Sequence, residues 1–168
     1  MNIFVLSTDP HDAAIAQCDK HIPKMCVETA QMLASACRRH GYGDDDMPLT
    51  QSGRPYKGGY RHHPCTLWAG QSRENFEWLY SHGMELCREY TLRYDATHAC
   101  RGPIQHMSHL AAALPRVGLT AFAQAMPDEY RDDNPVVAYR NYYTSKSFAS
   151  WQRGREAPAW WPLVNQSR

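Results

Sequence analysis

His21, Lys24, Glu28 and Gln31 stand three, four and three residues apart, the spacing that puts four side chains on one stripe of an α-helix. An imidazole, an ammonium, a carboxylate and an amide in one line make an acid/base and anion-handling surface. The candidate catalytic residues are therefore His21, Lys24 and Glu28. The same stripe also reads as the solvated face of an amphipathic helix, and spacing alone does not separate the two.

Two further regions gather polar and aromatic groups. The segment His62-His63-Pro64-Cys65-Thr66-Leu67-Trp68, followed by Ser72 and Asn75, surrounds a helix start, where a phosphate or carboxylate can bind. Capping plus a packed Trp68 explains the same residues. Cys65 at that helix start is a candidate nucleophile, but nothing in the sequence fixes a base beside it. Arg54, Lys57, Tyr60 and Arg61 interleave cations with rings in the irregular, glycine-containing stretch 41–63, which suits phosphate contact with base stacking. The acidic Asp44-Asp45-Asp46 beside them dilutes that signal. Arg140, Tyr143 and Lys146 repeat the basic-aromatic pattern at spacings of three. The candidate substrate-binding set is Gln31, His63, Trp68, Ser72, Asn75, Gln124, Arg140 and Tyr143. The candidate DNA-binding set is Arg54, Lys57, Tyr60, Arg61 and Lys146.

Nine histidines and six cysteines raise the question of a metal. No Cys-x2-Cys, His-x3-His or His-Glu-x-x-His spacing occurs, although His106 with His109, or His63 with Cys65, are close enough in sequence to chelate. No P-loop, dinucleotide fingerprint or Gly-x-Ser-x-Gly elbow is present. No metal and no cofactor is expected. The cysteines fall among apolar helical neighbours and read as small core residues.

The elements that must position these groups are helical. Ser7-Thr8-Asp9-Pro10 starts a first helix expected over about 10–39, bent near Pro23. A short helix is expected over 64–70, then a long one capped by Ser72 and reaching Tyr94. Its Phe76, Leu79, Tyr80, Gly83, Leu86, Cys87 and Tyr90 form an apolar stripe. Further helices are expected from Pro103 through Leu114, over Leu119 to Met126, and from Asn134-Pro135 through about Trp151. Ile3 to Leu6 is extended, and the tail Ala157-Pro158-Ala159-Trp160-Trp161-Pro162 docks its tryptophans on the body. The fold class is mainly α: one compact helical domain over 1–168 with a short extended N-terminus and an aromatic C-terminal tail. A length of 168 residues supports a real core. A net charge of +1 excludes nucleic-acid binding through overall charge alone, so a DNA partner needs a local basic patch. The first residues are too short and uncharged for a signal peptide, and no apolar run spans a bilayer.

Three segments together resemble a family of small tailed-phage proteins: Met1-Asn2-Ile3-Phe4-Val5-Leu6 with the Cys18-Asp19-Lys20-His21 run, His63 to Trp68, and Leu119 to Tyr130. More distantly, the chain is similar to the phage pyrimidine-dimer DNA glycosylases of the endonuclease V type, which are small helical enzymes. Their Leu-Pro-Arg step looks like Ile22-Pro23-Lys24 here. Their Pro-Thr, Gly and long helix ending in Lys-Arg-Gly look like Pro64-Cys65-Thr66, Gly70 and a helix ending in Leu92-Arg93-Tyr94. The resemblance implies a DNA-facing surface and an N-terminal α-amine acting as Schiff-base nucleophile after methionine removal, with a glutamate of the first helix as catalytic acid. Two positions depart from that pattern. The bulk of Asn2 disfavours removal of Met1, and His21 stands where the glutamate is expected, with Glu28 two turns away. An imidazole does not stabilise a developing sugar cation as a carboxylate does.

Those departures favour a first reading as a phage enzyme of thymidine hypermodification. It would transfer an amine or amino acid onto an activated 5-hydroxymethyluracil in DNA by displacement. His21 would deprotonate the amine, and Lys24 with Arg61 or Arg140 would neutralise the departing pyrophosphate. Gln31, Asn75 or Gln124 would hold the base or the amino acid. The alternative is a pyrimidine-dimer-type DNA glycosylase/AP lyase with the Met1 amine or Lys24 as nucleophile. A third reading is a non-enzymatic phage binding protein. The expected partners are double-stranded DNA with a flipped base and a small amine or amino acid, with no membrane. The expected location is the cytoplasm of an infected bacterial host.

Overall fold

The structure, a computed structural model, describes residues 1–162. The domain is mostly helical, and among the described residues the pairing of extended chain is limited to an isolated bridge between Leu49 and Pro55. In chain order the helices are α1 (Pro10–Ile15), α2 (His21–Arg39), α3 (Pro64–Ala69), α4 (Arg73–Tyr94), α5 (Arg101–Met107) and α6 (Pro135–Thr144). Short 3-10 turns occupy Asp44–Asp46, Ser108–Ala113 and Asp128–Tyr130. Four starts follow the capping chemistry of the sequence: the side chains of Asp9, His63, Ser72 and Asn134 accept first-turn N–H groups of α1, α3, α4 and α6. Proline opens α1, α3 and α6, where its missing N–H costs no intrahelical bond.

Several boundaries differ from the expected ones. The single bent helix over 10–39 is two helices, because α1 ends at Ile15 and α2 begins at His21. Pro23 is the third residue of α2, inside the turn whose N–H groups have no helical partner, so it helps to start a helix instead of bending one. The stretch Leu119 to Met126 contains no helix, and α6 ends at Thr144, short of Trp151. The expected helix through Leu114 is α5 continued by the 3-10 turn Ser108–Ala113. Trp160 and Trp161 do dock, with ring centroids 6.1 and 6.2 Å from that of Tyr143.

The core lies where α4 packs on α1 and α2. Phe76, Leu79, Leu86 and Cys87 of α4 and Ile22, Met25, Cys26 and Leu33 of α2 are buried there. Gly83 permits the close crossing: a Cβ at that position would lie 2.5 Å from Thr29 Cγ2. All six cysteines are buried, as expected of small core residues. Arg93, with a fully buried side chain, pairs with Asp19 at 3.0 Å and Glu89 at 2.9 Å. It also donates to the carbonyls of Ile15, the last residue of α1, and of Gln17 just beyond it. One guanidinium thus joins α1, the α1–α2 connection and α4. No helix among the described residues is long and apolar enough to cross a membrane.

The segment Met1–Leu6 lies along α2 and, unlike the extended run expected, turns at Phe4 (φ +35°), whose carbonyl accepts the Leu6 N–H at 2.8 Å. Asn2 reaches Glu28, and the ring of Phe4 stacks on that of His21 at 4.7 Å.

Candidate active site

Glu28 is 8 % exposed and sits on the second turn of α2 after Pro23. Its Oε2 accepts the backbone N–H of Asn2 at 2.8 Å and lies 3.6 Å from the α-amine of Met1. Its Oε1 is 3.7 Å from Nζ of Lys24, which is largely exposed. Asn2 is itself pinned: its Oδ1 accepts from the N–H groups of Ile3 and Phe4, and its Nδ2 donates to the Ala125 carbonyl. A carboxylate held against the first two nitrogens of the chain is rigidly placed and nearly dry.

The start of α3 borders this cluster. Burial, and then the charge of the nearby amino terminus, hold the His63 imidazole below its ordinary pKa. Burial pushes the Cys65 thiol up to about 12; its Sγ lies 3.8 Å from the hydroxyl of Tyr139, which donates to the Ala123 carbonyl. Cys65 is therefore a thiol at neutral pH, which removes it as a nucleophile of low pKa. Next to Pro64 an open concavity of about 540 Å³ is lined by Phe122, Ala123, Gln124, Arg131, Asp132 and Asp133. It is not lined by His21, Lys24 or Glu28.

The expected catalytic stripe divides. Lys24 and Glu28 come together, with Gln31 one turn further and close to Gly59. His21 turns into the core. It is 4 % exposed, its Nδ1 lies 2.7 Å from the Tyr143 hydroxyl, and Phe4 covers its ring. Burial first, then Lys24, Lys146 and Lys20, lower its pKa to about 3. An imidazole so weakly basic is a poor proton acceptor near neutrality. Burial against Phe4 and Tyr143 weighs against its expected role as base.

Four of the expected substrate-binding residues make contacts within the fold. Ser72 is the fully buried cap of α4, and Asn75 bonds the Trp68 carbonyl and both the N–H and hydroxyl of Thr120. Trp68 is buried edge-on to Trp78 at 5.9 Å. Tyr143 is buried, with its hydroxyl shared between His21 and the N–H of Cys18. Caps and ligand-binding residues draw on the same residue types, and the sequence could not tell them apart. Gln124 lines the concavity, but its amide is engaged with the backbone of Asp132. Arg140 donates to the Leu6 carbonyl and lies over the Trp160 ring at 5.3 Å, which fixes the N-terminal segment from its other end.

Of the expected DNA-binding residues, Arg54, Lys57, Tyr60 and Arg61 are exposed. Their loop is anchored on α2, since Ser35 exchanges hydrogen bonds with both backbone groups of Gly59, and Arg38 donates twice to the Tyr56 carbonyl. The loop then leads straight into His63 and α3, with Lys57 paired to Asp44 and the Arg61 carbonyl held by Arg39 of the last turn of α2. Lys146 is apart from them, over the Tyr142 ring at 3.6 Å.

The residue that sequence reasoning undervalued is Asn2, whose contribution is a backbone nitrogen. Its signal was the resemblance to enzymes that use the start of the chain. The model of a protein family described as pyrimidine dimer DNA glycosylase matches residues 1–102. That span holds Asn2, Glu28, His63 and the whole basic loop. No curated protein and no solved structure matches the chain.

Proposed function

Because the chain belongs to the pyrimidine dimer DNA glycosylase family, we propose that it is a DNA glycosylase/lyase whose nucleophile is the amine at the start of the chain and whose catalytic carboxylate is Glu28. The observation that carries the reading is the contact of Glu28 Oε2 with Asn2 N at 2.8 Å and with the Met1 amine at 3.6 Å. Either nitrogen, as the terminal amine, is in reach of the same carboxylate. An α-amine is a weaker base than a lysine side-chain amine, so it supplies a neutral nucleophile more readily at neutral pH.

The chemistry follows from that pair. The amine attacks C1′ of the deoxyribose of a damaged pyrimidine nucleotide. The N-glycosidic bond breaks, and its electron pair leaves on the base, which takes up a proton. Glu28 stabilises the positive charge that grows on the sugar and then shuttles the proton lost by the amine. Opening of the sugar ring, with a proton taken up by O4′, gives a Schiff base. Loss of a C2′ proton to a base then forms the C2′–C3′ double bond and expels the 3′ phosphate by β-elimination. Arg54, Lys57, Tyr60 and Arg61 hold the duplex along the loop anchored to α2. Lys24 pairs with Glu28. The amine-transfer reading needs His21 as its base, and a buried imidazole bonded to Tyr143 gives that reading no support.

The experiment is borohydride trapping on duplex DNA carrying a pyrimidine dimer or an abasic site. A covalent protein–DNA adduct is expected, with the attachment mapping to the amino-terminal peptide and unaffected by Lys24→Ala. An acetylated amino terminus is expected to abolish trapping. No adduct on either substrate, or an adduct on Lys24, would overturn the reading.

A further inference from the structure

Cys26 and Glu28 are two residues apart on α2 and so point to nearly opposite sides of the helix. On the side away from the amino terminus, Cys26, Cys87 of α4 and His98 of the α4–α5 turn bring one ligand atom each to within 4.8 Å of one another. The two Sγ atoms are 3.7 Å apart. A tetrahedral zinc ion with Zn–S bonds of about 2.3 Å sets its two sulfurs about 3.8 Å from each other. The thiols already have the separation that such an ion demands.

We propose that Cys26, Cys87 and His98 form a binding site for a soft divalent transition metal, zinc foremost, that clasps α2 to α4 and to the turn following α4. Two thiolates and an imidazole are a donor set selective for such ions over magnesium or calcium. With a doubly charged cation the two thiolates form a neutral unit, so burying it carries no uncompensated charge. On binding, both thiols lose their protons to solvent and two metal–sulfur bonds form. His98 contributes a neutral ring nitrogen. Its Nε2 lies 3.1 Å from the Pro23 carbonyl, and its Nδ1 accepts the N–H of Cys100 at 3.1 Å. The Nε2–H donation to Pro23 leaves the lone pair on Nδ1, which exchanges the Cys100 N–H for the metal. The bond to Pro23 remains and holds the ring, as outer hydrogen bonds hold metal-bound imidazoles. Both cysteines are fully buried while His98 is half-buried, so the ion enters, and a water completes the tetrahedron, from the His98 side.

The test is titration of the reduced, metal-free full chain with Co²⁺ and then Zn²⁺. One equivalent of Co²⁺ is expected to produce a near-ultraviolet thiolate-to-cobalt charge-transfer band and the strong visible bands of tetrahedral cobalt. Zinc should displace it, and native mass spectrometry should find one zinc per chain. Absence of the band in folded wild-type protein overturns the proposal without any variant. Cys87→Ser is expected to remove the band, and Cys37→Ser, a buried cysteine elsewhere on α2, to keep it. Should Cys87→Ser fail to fold by circular dichroism, His98→Asn leaves both thiols in place and should weaken zinc binding at least ~10-fold. An unchanged zinc affinity in that variant, or a Cys26–Cys87 disulfide in protein purified without oxidant, also overturns it.

Discussion

Glu28 Oε2 and the backbone nitrogen of Asn2 lie 2.8 Å apart, so a carboxylate on α2 is tied to the first peptide unit of the chain. The carbonyl oxygen of a glutamine in its place can still accept that N–H. Glu28→Gln should therefore fold with little change in melting temperature while losing at least ~100-fold in single-turnover base release, the low end for a proton-transfer group. Base release near the wild-type rate would remove the carboxylate from the chemistry.

The reach of the sequence was uneven, and the reasons are physical. The helices α2 and α4 were legible because each carries a long 3.6-residue apolar period, and Ser72 announced the start of α4. The break between α1 and α2 was not. It is stabilised by the Tyr143 hydroxyl on the Cys18 N–H and by Arg93 on Asp19 and on the Ile15 and Gln17 carbonyls, contacts that span 74 to 125 residues of chain. Local propensity carries no trace of partners so distant. Glu28 was visible as a member of a polar stripe, but its partner is main chain, which has no residue signature. His21 fitted the stripe by spacing, and only the N-terminal segment laid over it shows that the upper part of that stripe is core.

Buried histidines make stability depend on pH. His21 and His82 have folded pKa values lowered from 6.5 to about 3 and about 4, each chiefly by burial. His21 faces Tyr143 with Lys20, Lys24 and Lys146 around it, and His82 faces Gln17, the Pro10 carbonyl and Glu85. The unfolded chain takes up these protons first as the pH falls below about 6.5, so stability present at neutral pH is lost from there down towards the folded values. At about pH 5 each histidine should account for about 2 kcal/mol of that loss. Urea midpoints at about pH 7.5 and about pH 5 measure it, and His82→Gln should shrink the difference. A midpoint that does not move would contradict the burial of both rings.

Gly58 has φ +81°, and a Cβ there would lie 2.2 Å from Ser35 Oγ and 2.7 Å from Ser35 N. Gly53 has φ +74° with open space around it. An alanine at Gly53 carries backbone strain alone, about 1 kcal/mol, whereas at Gly58 it must also push the loop off α2. Gly58→Ala should therefore cost more, about 2–4 kcal/mol, and should weaken DNA binding because the basic residues ride on that loop. Equal thermal stability of the two variants would mean that the loop does not depend on its seat against Ser35.

The two cations flanking that glycine pair are not equivalent towards DNA. Lys57 Nζ is 2.6 Å from Asp44 Oδ1, an oxygen that Arg38 also contacts at 2.7 Å. Among the described residues no carboxylate pairs with Arg61, and its backbone carbonyl is held by Arg39. A cation that already has a counter-charge releases less of the DNA's ion atmosphere when it meets a phosphate. Arg61→Ala should thus lower the slope of log affinity against log salt by about 0.9, the value of one phosphate contact, and Lys57→Ala by less than half as much. Asp44→Asn should raise the Lys57 contribution towards that of Arg61. Fluorescence anisotropy of a labelled duplex across a salt series measures all three, and identical slopes for Arg61→Ala and Lys57→Ala would show that Asp44 does not restrain Lys57 when DNA is bound.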